Sequence, residues 1–262
     1  MKLHRPIGIF DAGIGSYAIV ERVRAHFPMQ DILYFADRAS FPYGAKTPGE
    51  LLASVKSATE YLGNEGCVAV VLASNAPSVT VLDALKAAVS VPVIGIFPPV
   101  REAVELSRNK QVAVLGVRSM ITSEAMQIYA KRNSTEESQV SLLNASSLVD
   151  LVENFTFLTD PAQTQKAVSQ FIAHALQEHP KVDVMTLSST HLPWLREFFQ
   201  SAAPDVMFLD PADSVLEQLS PYTSIGQGLA RFVATETTAL SLNEFNAALR
   251  TLGVKQQAEL RI

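Results

Sequence analysis

Two short polar stretches, each directly after an apolar segment, contain the residues best suited to chemistry. One is Ser74–Asn75–Ala76–Pro77 and the other is Ser188–Ser189–Thr190–His191. A serine beside a histidine is the pair that activates a nucleophilic hydroxyl group in hydrolases. The Gly-x-Ser-x-Gly motif that presents such a serine is absent, and the sequence does not place an acid to orient the imidazole ring of His191. The pair by itself therefore does not favour a hydrolase.

Two further turns combine acidic or aromatic side chains with glycine. In Asp11–Ala12–Gly13–Ile14–Gly15 the glycines let the backbone turn and approach an anion. The third glycine of a dinucleotide fingerprint is missing and Asp11 would repel a pyrophosphate, so NAD binding is not expected; Asp11 also suits a helix N-cap. Pro42–Tyr43–Gly44 is either an ordinary surface loop or a rigid turn whose phenol and backbone N–H bind a short acid. Glu153 is either a titrating group or a solvated helix residue.

The elements that position these residues are short apolar segments alternating with helical ones. The segments are β-branched and apolar on both faces, which is typical of strands covered by helices on both sides. The predicted strands are Pro6–Phe10, Ile32–Phe35, Val68–Ala73, Pro92–Ile96, Val112–Gly116, Val140–Leu143, Val182–Leu187 and Val206–Leu209. The predicted helices are Ser16–His26, Pro48–Leu62, Ser78–Ala88, Ser119–Ala130, Pro161–Leu176 and Pro193–Gln200. This alternation predicts an α/β fold with mainly parallel sheets.

The two serine stretches share one pattern: an apolar strand, small polar residues, and then a proline that opens a helix. The pattern predicts two similar α/β lobes, residues 1–97 with 211–262 and residues 98–210. Ligands of open α/β sheets bind beyond the carboxyl ends of the strands, so the cleft between the lobes is the expected site. Two unrelated strand–helix turns are the alternative interpretation.

Composition excludes several classes of function. The 262 residues include 21 Lys or Arg and 26 Asp or Glu, a formal charge of −5 without a basic stripe, so nucleic-acid binding is not expected. The single cysteine, Cys67, excludes an internal disulfide and a multi-cysteine metal site, and histidines lack metal-ligand spacing. No apolar stretch approaches the ~20 residues that cross a bilayer, and no signal peptide is predicted. We expect a soluble, cytoplasmic protein without a bound metal.

Several segments together resemble the glutamate racemase branch of the aspartate/glutamate racemase superfamily. The similar stretches, in order along the chain, are Ile7–Gly15, Tyr34–Asp37, Phe41–Lys46, Val71–Ala76, Val91–Ile96, Leu151–Glu153 and Thr190–Pro193. The resemblance implies paired α/β lobes and cofactor-independent chemistry, in which two cysteine thiols face each other across the substrate α-carbon. One thiolate removes the proton and the other thiol returns a proton on the opposite face.

The resemblance places Ser74 and Ser189 at the two cysteine positions. A serine hydroxyl yields almost no alkoxide near neutral pH without a strong activator. Two residues beside the substrate also differ from the pattern, since Ala12 and Ala76 stand where a serine and a threonine are usual. The supporting residues that the resemblance retains are Asp11, Asn75, Pro42, Tyr43, Gly44, Glu153, Thr190 and His191. It therefore implies a protein that binds a small acidic ligand, similar to glutamate or aspartate, but is deficient in racemisation.

Two alternatives stay open from the sequence. One is a divergent cofactor-independent isomerase, decarboxylase or lyase that uses Asp11, Glu153 and His191 as acid and base. The other is an active glutamate racemase whose cysteines were changed to serine, although Ala12 and Ala76 disfavour it. The expected partner is a small acidic molecule, and a homodimer is left open.

Overall fold

The computed structural model of the chain describes residues 2–238 and 241–261. The chain divides into two compact units, which we call unit 1 (Met1–Ile96 and Ala212–Ile262) and unit 2 (Phe97–Pro211). Within the described ranges, no helix has both the length and the apolar character needed to span a membrane.

Strands and helices alternate along most of the chain. The strands are β1 (Ile7–Asp11), β2 (Ile32–Ala36), β3 (Ala69–Leu72), β4 (Val93–Gly95), β5 (Gln111–Gly116), β6 (Gln139–Asn144), β7 (Val184–Leu187), β8 (Met207–Leu209), β9 (Ala230–Ala234) and β10 (Ala258–Leu260). The helices are α1 (Tyr17–His26), α2 (Pro48–Asn64), α3 (Asn75–Ala88), α4 (Val100–Leu106), α5 (Arg118–Ile121), α6 (Glu124–Arg132), α7 (Ser146–Glu153), α8 (Thr156–Thr159), α9 (Pro161–Glu178), α10 (Arg196–Ala202), α11 (Ala212–Leu219) and α12 (Leu242–Thr251).

Unit 1 contains a six-stranded sheet in the order β10-β9-β2-β1-β3-β4, and its strand pairs are parallel. Every residue of β1, β2 and β3 is buried, as expected for central strands of a parallel sheet covered on both faces. The core lies on these strands, where Ile9, Phe10 and Phe35 are fully buried.

Unit 2 contains a four-stranded parallel sheet in the order β6-β5-β7-β8. Numbered within each unit, the first four strands of both units follow the same order, 2-1-3-4. The two serine stretches therefore occupy equivalent places, because Ser74 follows the third strand of unit 1 and Ser189 follows the third strand of unit 2. The prediction of an α/β fold with two similar parallel-sheet lobes is confirmed.

Local sequence signals explain where helices begin. Thr47 caps α2 through a capping box, in which its backbone N–H donates to the Glu50 carboxylate at 2.9 Å and its hydroxyl accepts the Glu50 N–H. Pro48 occupies the first helical position, where its missing N–H costs nothing. In the same way, Asp160 accepts the N–H of Gln163 at 2.9 Å to start α9.

Some predicted elements differ from the structure. The helix predicted over residues 119–130 is two helices, α5 and α6, because the hydroxyl of Ser123 accepts the N–H of Met126 at 3.1 Å and starts a new helix. Residues 193–200 form a 3₁₀ turn, Leu192–Leu195, followed by α10. Strand β9, which lies between β10 and β2, and the edge strand β10 were not predicted, since each has a charged residue among its apolar ones.

Candidate active-site residues in the two units

The carboxyl edge of the unit 1 sheet collects the polar residues of three strands. In the parallel register Asp11 pairs with Ala36 and Phe10 with Leu72, so the chain leaves all three strands at the same level. Asp11, Asp37 and the Ser74 turn therefore lie at this edge, which is where open α/β sheets bind ligands. Asp11 and Asp37 are both buried.

The turn between β3 and α3 holds Ser74 in an extended conformation with a half-buried side chain. The Ser74 hydroxyl makes no capping hydrogen bond. Its backbone carbonyl accepts a hydrogen bond from the Ser78 hydroxyl at 2.7 Å, and the same hydroxyl accepts the backbone N–H of Ile96 at 3.0 Å. Ser78 thus connects the Ser74 turn to the residue that follows β4, and this contact fixes the turn.

Asn75 presents an unused hydrogen-bond acceptor. The side chain is 3% exposed, and its amide nitrogen donates to the Ile96 carbonyl at 3.2 Å. Its Oδ1 atom is buried and accepts no hydrogen bond within the described part of the chain. Buried polar atoms without a protein partner are rare, so this oxygen is available to accept a hydrogen bond from a water molecule or a ligand. Ala76, which follows, has no polar side chain to add.

In the turn containing Pro42, Tyr43 and Gly44, the phenol of Tyr43 forms a hydrogen bond within the protein. The Tyr43 hydroxyl donates to a carboxylate oxygen of Asp37 at 3.1 Å, and the ring is buried, whereas Pro42 and Gly44 are exposed. Burial, together with the negative charges of Asp37 and Asp11, raises the pKa of Tyr43 well above its ordinary value. The phenol therefore stays protonated and orients Asp37.

Arg38 joins the turn after β1 to the segment after β2, a role that its residue type alone does not predict. Its guanidinium group donates to the backbone carbonyl of Ala12 at 2.8 Å and lies 4.9 Å from the centre of the Phe41 ring. A buried arginine needs such partners, because an unpaired buried charge is costly. The available signal was the charged pair Asp37–Arg38 directly after an apolar strand.

Unit 2 brings Glu153, His191 and Ser189 together. Glu153 is the last residue of α7, and its carboxylate lies 2.6 Å from Nε2 of His191. Nδ1 of the same ring lies 3.4 Å from the hydroxyl of Ser189. The Glu153 and His191 side chains are 12% and 8% exposed. The sequence did not place an acid beside His191, yet the fold supplies one from 38 residues upstream.

The residues next to Ser189 and His191 in the chain are buried and polar. Thr190 is buried between Ser189 and His191, and the neighbouring Ser188 hydroxyl pairs with the hydroxyl of Thr186 at 2.7 Å. Ser188 is thus satisfied within the protein, which leaves Ser189 as the hydroxyl that faces the imidazole. Ser74 in unit 1 occupies the equivalent place after its strand but has no histidine within hydrogen-bond distance among the described residues.

The only thiol of the chain is unsuited to act as a base. Cys67 is buried directly before β3, and burial, with a smaller contribution from the charge of Glu65, raises the pKa of its thiol to about 12. Almost no thiolate exists at neutral pH. Within residues 2–238 and 241–261, no group of three His, Cys, Asp or Glu side chains is arranged to hold a metal ion.

The chain is similar in sequence and in structure to known proteins of one family. The sequence profile of the family described as Asp/Glu/Hydantoin racemase matches residues 17–219. The glutamate racemase of Chlorobium phaeobacteroides is 32% identical over 215 residues, which cover 80% of this chain and 76% of that protein. A glutamate racemase isoform from Bacillus anthracis has a similar structure, with a TM-score of 0.81 and 25% identity over 100% of this chain and 97% of the other.

A second solved structure is the glutamate racemase of Thermus thermophilus in complex with β-chloro-D-alanine. It has a TM-score of 0.80 and 25% identity, and the match covers 98% of this chain and 95% of the other. Both the resemblance of the motifs and the resemblance of the fold thus point to one group of proteins. The chain belongs to the Asp/Glu/hydantoin racemase family, in its glutamate racemase branch.

Proposed function

We propose that this protein binds a small acidic amino acid, such as glutamate or aspartate, and does not racemise it. The observation that carries the proposal is the state of the only thiol. Cys67 is buried with its pKa raised to about 12, whereas Ser74 and Ser189 occupy the two equivalent strand ends. The chain therefore has no thiolate base at either position.

The binding half of the proposal rests on the carboxyl edge of unit 1. The unpaired Oδ1 of Asn75 can accept a hydrogen bond from an ammonium group, and the carboxylate of Asp11 at the same edge has the opposite charge to an ammonium group. The Pro42–Tyr43–Gly44 turn stays our candidate for the acidic end of the ligand. The Thermus thermophilus relative, which is bound to the amino acid derivative β-chloro-D-alanine, supports an amino acid as the ligand.

The absence of racemisation follows from the chemistry of the α-carbon. Inverting an amino acid requires one base and one acid on opposite faces, and each must lie within reach of a single carbon atom. An unactivated serine hydroxyl is almost never ionised near neutral pH. Ser189 has an imidazole at 3.4 Å, whereas Ser74 has no such partner among the described residues, so we expect at most one of the two serines to transfer a proton.

The test combines binding with isotope exchange. Calorimetry with L-glutamate, D-glutamate and L-aspartate should detect binding of at least one of them, and Asn75→Ala should weaken it, because the variant removes the buried acceptor. Thr80→Ala, on the same helix but with its hydroxyl bonded to the Ala76 carbonyl at 2.8 Å, is the matched control. The bound amino acid should keep its optical purity in heavy water. Rapid inversion with the natural chain would contradict the proposal, and so would a lack of binding by all three amino acids.

A second candidate is favoured by the contact between Glu153 and His191. A carboxylate at 2.6 Å from an imidazole nitrogen can support one-sided acid–base chemistry, such as a decarboxylation or an elimination. Turnover of an alkyl- or arylmalonate, detected as release of carbon dioxide and lost in His191→Gln, would support this candidate over simple binding.

A further inference from the structure

The Ser189–His191–Glu153 contacts form a directed chain of hydrogen bonds. A carboxylate can only accept, so Nε2 of His191 carries the proton that Glu153 accepts at 2.6 Å. Nδ1 is then left with a free lone pair, and it faces the Ser189 hydroxyl at 3.4 Å. Glu153 therefore holds the imidazole in the tautomer that can take a proton from Ser189.

The electrostatics favour this transfer. When the imidazole takes the serine proton it becomes a cation, and the Glu153 carboxylate next to it stabilises the new charge. Both side chains are largely removed from water, where such an interaction is stronger than at an exposed surface. These are the roles that base and acid fulfil in a Ser-His-acid triad, whatever the order of the residues along the chain.

The position of Ser189 also suits a nucleophile. It follows strand β7 directly at the carboxyl edge of the unit 2 sheet, before a turn and α10. In α/β hydrolases the residue after such a serine supplies a backbone N–H to the developing oxyanion. The corresponding N–H of Thr190 donates to no backbone carbonyl within the described residues. The distance of 3.4 Å is long for a hydrogen bond, as is common before a substrate binds.

We propose that Ser189 is the nucleophile of an acyl-transfer site that acts on small activated carboxylic esters. The Ser189 oxygen bonds to the ester carbonyl carbon while its proton moves to Nδ1 of His191. The bond from that carbon to the leaving alcohol then breaks, and the alcohol takes the proton from Nδ1. A water molecule, deprotonated by the same nitrogen, releases the acid and restores Ser189. This goes beyond the proposed amino-acid binding and does not depend on it.

Unit 2 offers a matched control within the same fold. The hydroxyl of Ser141, on β6, lies 3.2 Å from Nδ1 of His179. This pair is a serine–histidine contact of similar length, but no described carboxylate lies within hydrogen-bond distance of the other ring nitrogen of His179. If a serine–histidine contact were enough for reactivity, both serines would react. If the complete chain with Glu153 is required, only Ser189 reacts.

The experiment treats the full chain with a small alkyl fluorophosphonate and locates the modified residue by peptide mass spectrometry. The serine oxygen displaces fluoride from phosphorus, so labelling reports nucleophilicity directly. We expect one label per chain, at Ser189 and not at Ser141. Glu153→Gln should slow labelling at least about tenfold, and His191→Gln at least about 100-fold, the usual contribution of a general base. Ser141→Ala should label at the natural rate.

Hydrolysis of p-nitrophenyl acetate provides a second readout, which Ser189→Ala should abolish and Ser141→Ala should leave unchanged. Thermal unfolding of each variant shows whether it retains the native fold, and Glu153→Gln is nearly isosteric. The proposal is overturned if Ser189 stays unlabelled in the natural chain, or if Ser141 labels equally well. It also fails if a folded His191→Gln variant labels as fast as the natural chain.

Discussion

Asp31 gives the sharpest stability prediction, because its buried carboxylate connects the start of β2 to the N-terminal segment at His4 and to residues 227–229. Its Oδ1 accepts the N–H groups of Gln227 at 2.9 Å and Leu229 at 3.0 Å, and its Oδ2 accepts the N–H of His4 at 2.8 Å. Burial acts to raise the pKa of Asp31, but these hydrogen bonds outweigh it and leave the pKa below its ordinary value. The charged form is therefore the one that stabilises the fold.

The substitution Asp31→Asn keeps the shape and removes the charge. The amide oxygen can still accept two N–H groups, but the amide NH₂ then faces the N–H of His4, so one charged hydrogen bond is lost. Such a bond contributes about 1.5–3 kcal/mol, and the remaining two lose their charge assistance. We expect the free energy of unfolding to fall by about 2–4 kcal/mol, measured by urea denaturation at pH 7.

Asp213→Asn is the control, because it also removes one carboxylate charge from unit 1. The Asp213 side chain is 71% exposed and pairs with Arg22 at the surface. Exposed ion pairs contribute no more than about 1 kcal/mol, so this variant should lose little stability. A loss in Asp31→Asn no greater than in Asp213→Asn would refute the assignment of Asp31 as a structural anchor.

The charge of Asp31 should make the free energy of unfolding depend on pH. Because the folded pKa of Asp31 is lower than the unfolded value of about 3.9, its contribution is complete above the unfolded pKa. The contribution disappears as the pH falls through the folded pKa. The stability gap between the natural chain and Asp31→Asn should therefore be constant from pH 7 to about 5 and narrow below about 4. A gap that stays the same in acid would contradict the mechanism.

Two further predictions concern the strand ends of unit 1. Ser78→Ala leaves the buried N–H of Ile96 without an acceptor and should lower the free energy of unfolding, measured in urea, by about 1–3 kcal/mol. The control Thr80→Ala breaks only a contact within its own helix and should lower it less. Equal losses in the two variants would argue against the bridging role of Ser78. Gly95→Ala would place a Cβ 2.5 Å from a methyl group of Leu82 and should lower the free energy of unfolding by about 1–3 kcal/mol. The Cβ of Gly63→Ala, in α2, meets nothing closer than 3.6 Å, so this variant should raise the free energy of unfolding by about 0.5–1 kcal/mol. A more stable Gly95→Ala protein would show that the close contact relaxes freely.

Much of the fold could be predicted from local patterns. The strands β1 to β8 coincide with predicted apolar segments, since central strands of parallel sheets are apolar on both faces and are recognisable without their neighbours. Helices that begin at a proline, such as α2 and α9, were also predicted, because proline fits the first helical position. Strands β9 and β10 lack this pattern, because Arg231 and Glu259 interrupt their apolar residues, and they become strands through the pairing of β9 with β2 and of β10 with β9.

In the candidate site, too, the sequence predicts some features and leaves others to the folded structure. Residue types, their place after apolar segments and the family resemblance indicate Ser74, Ser189 and His191. The direction of each side chain depended on contacts far apart in the chain. The hydroxyl of Tyr43 donates to Asp37 and its ring is buried, a contact that the residue types alone do not predict. The sequence left Glu153 as either a titrating group or a solvated helix residue, and the fold brings its carboxylate into contact with His191.

The sequence by itself thus determined the α/β class and the lack of a thiol at both serine turns, whereas the strand order of the two sheets decided that the turns are equivalent. The class and the lack of a thiol depend on local composition and on residue identity, which a chain shows directly. Only the tertiary structure decided that Ser189 has an imidazole and, behind it, a carboxylate in contact, while Ser74 has no such pair among the described residues. Hydrogen bonds between α7 and the turn after β7 have no periodic signature, because their partners approach each other only when the units fold.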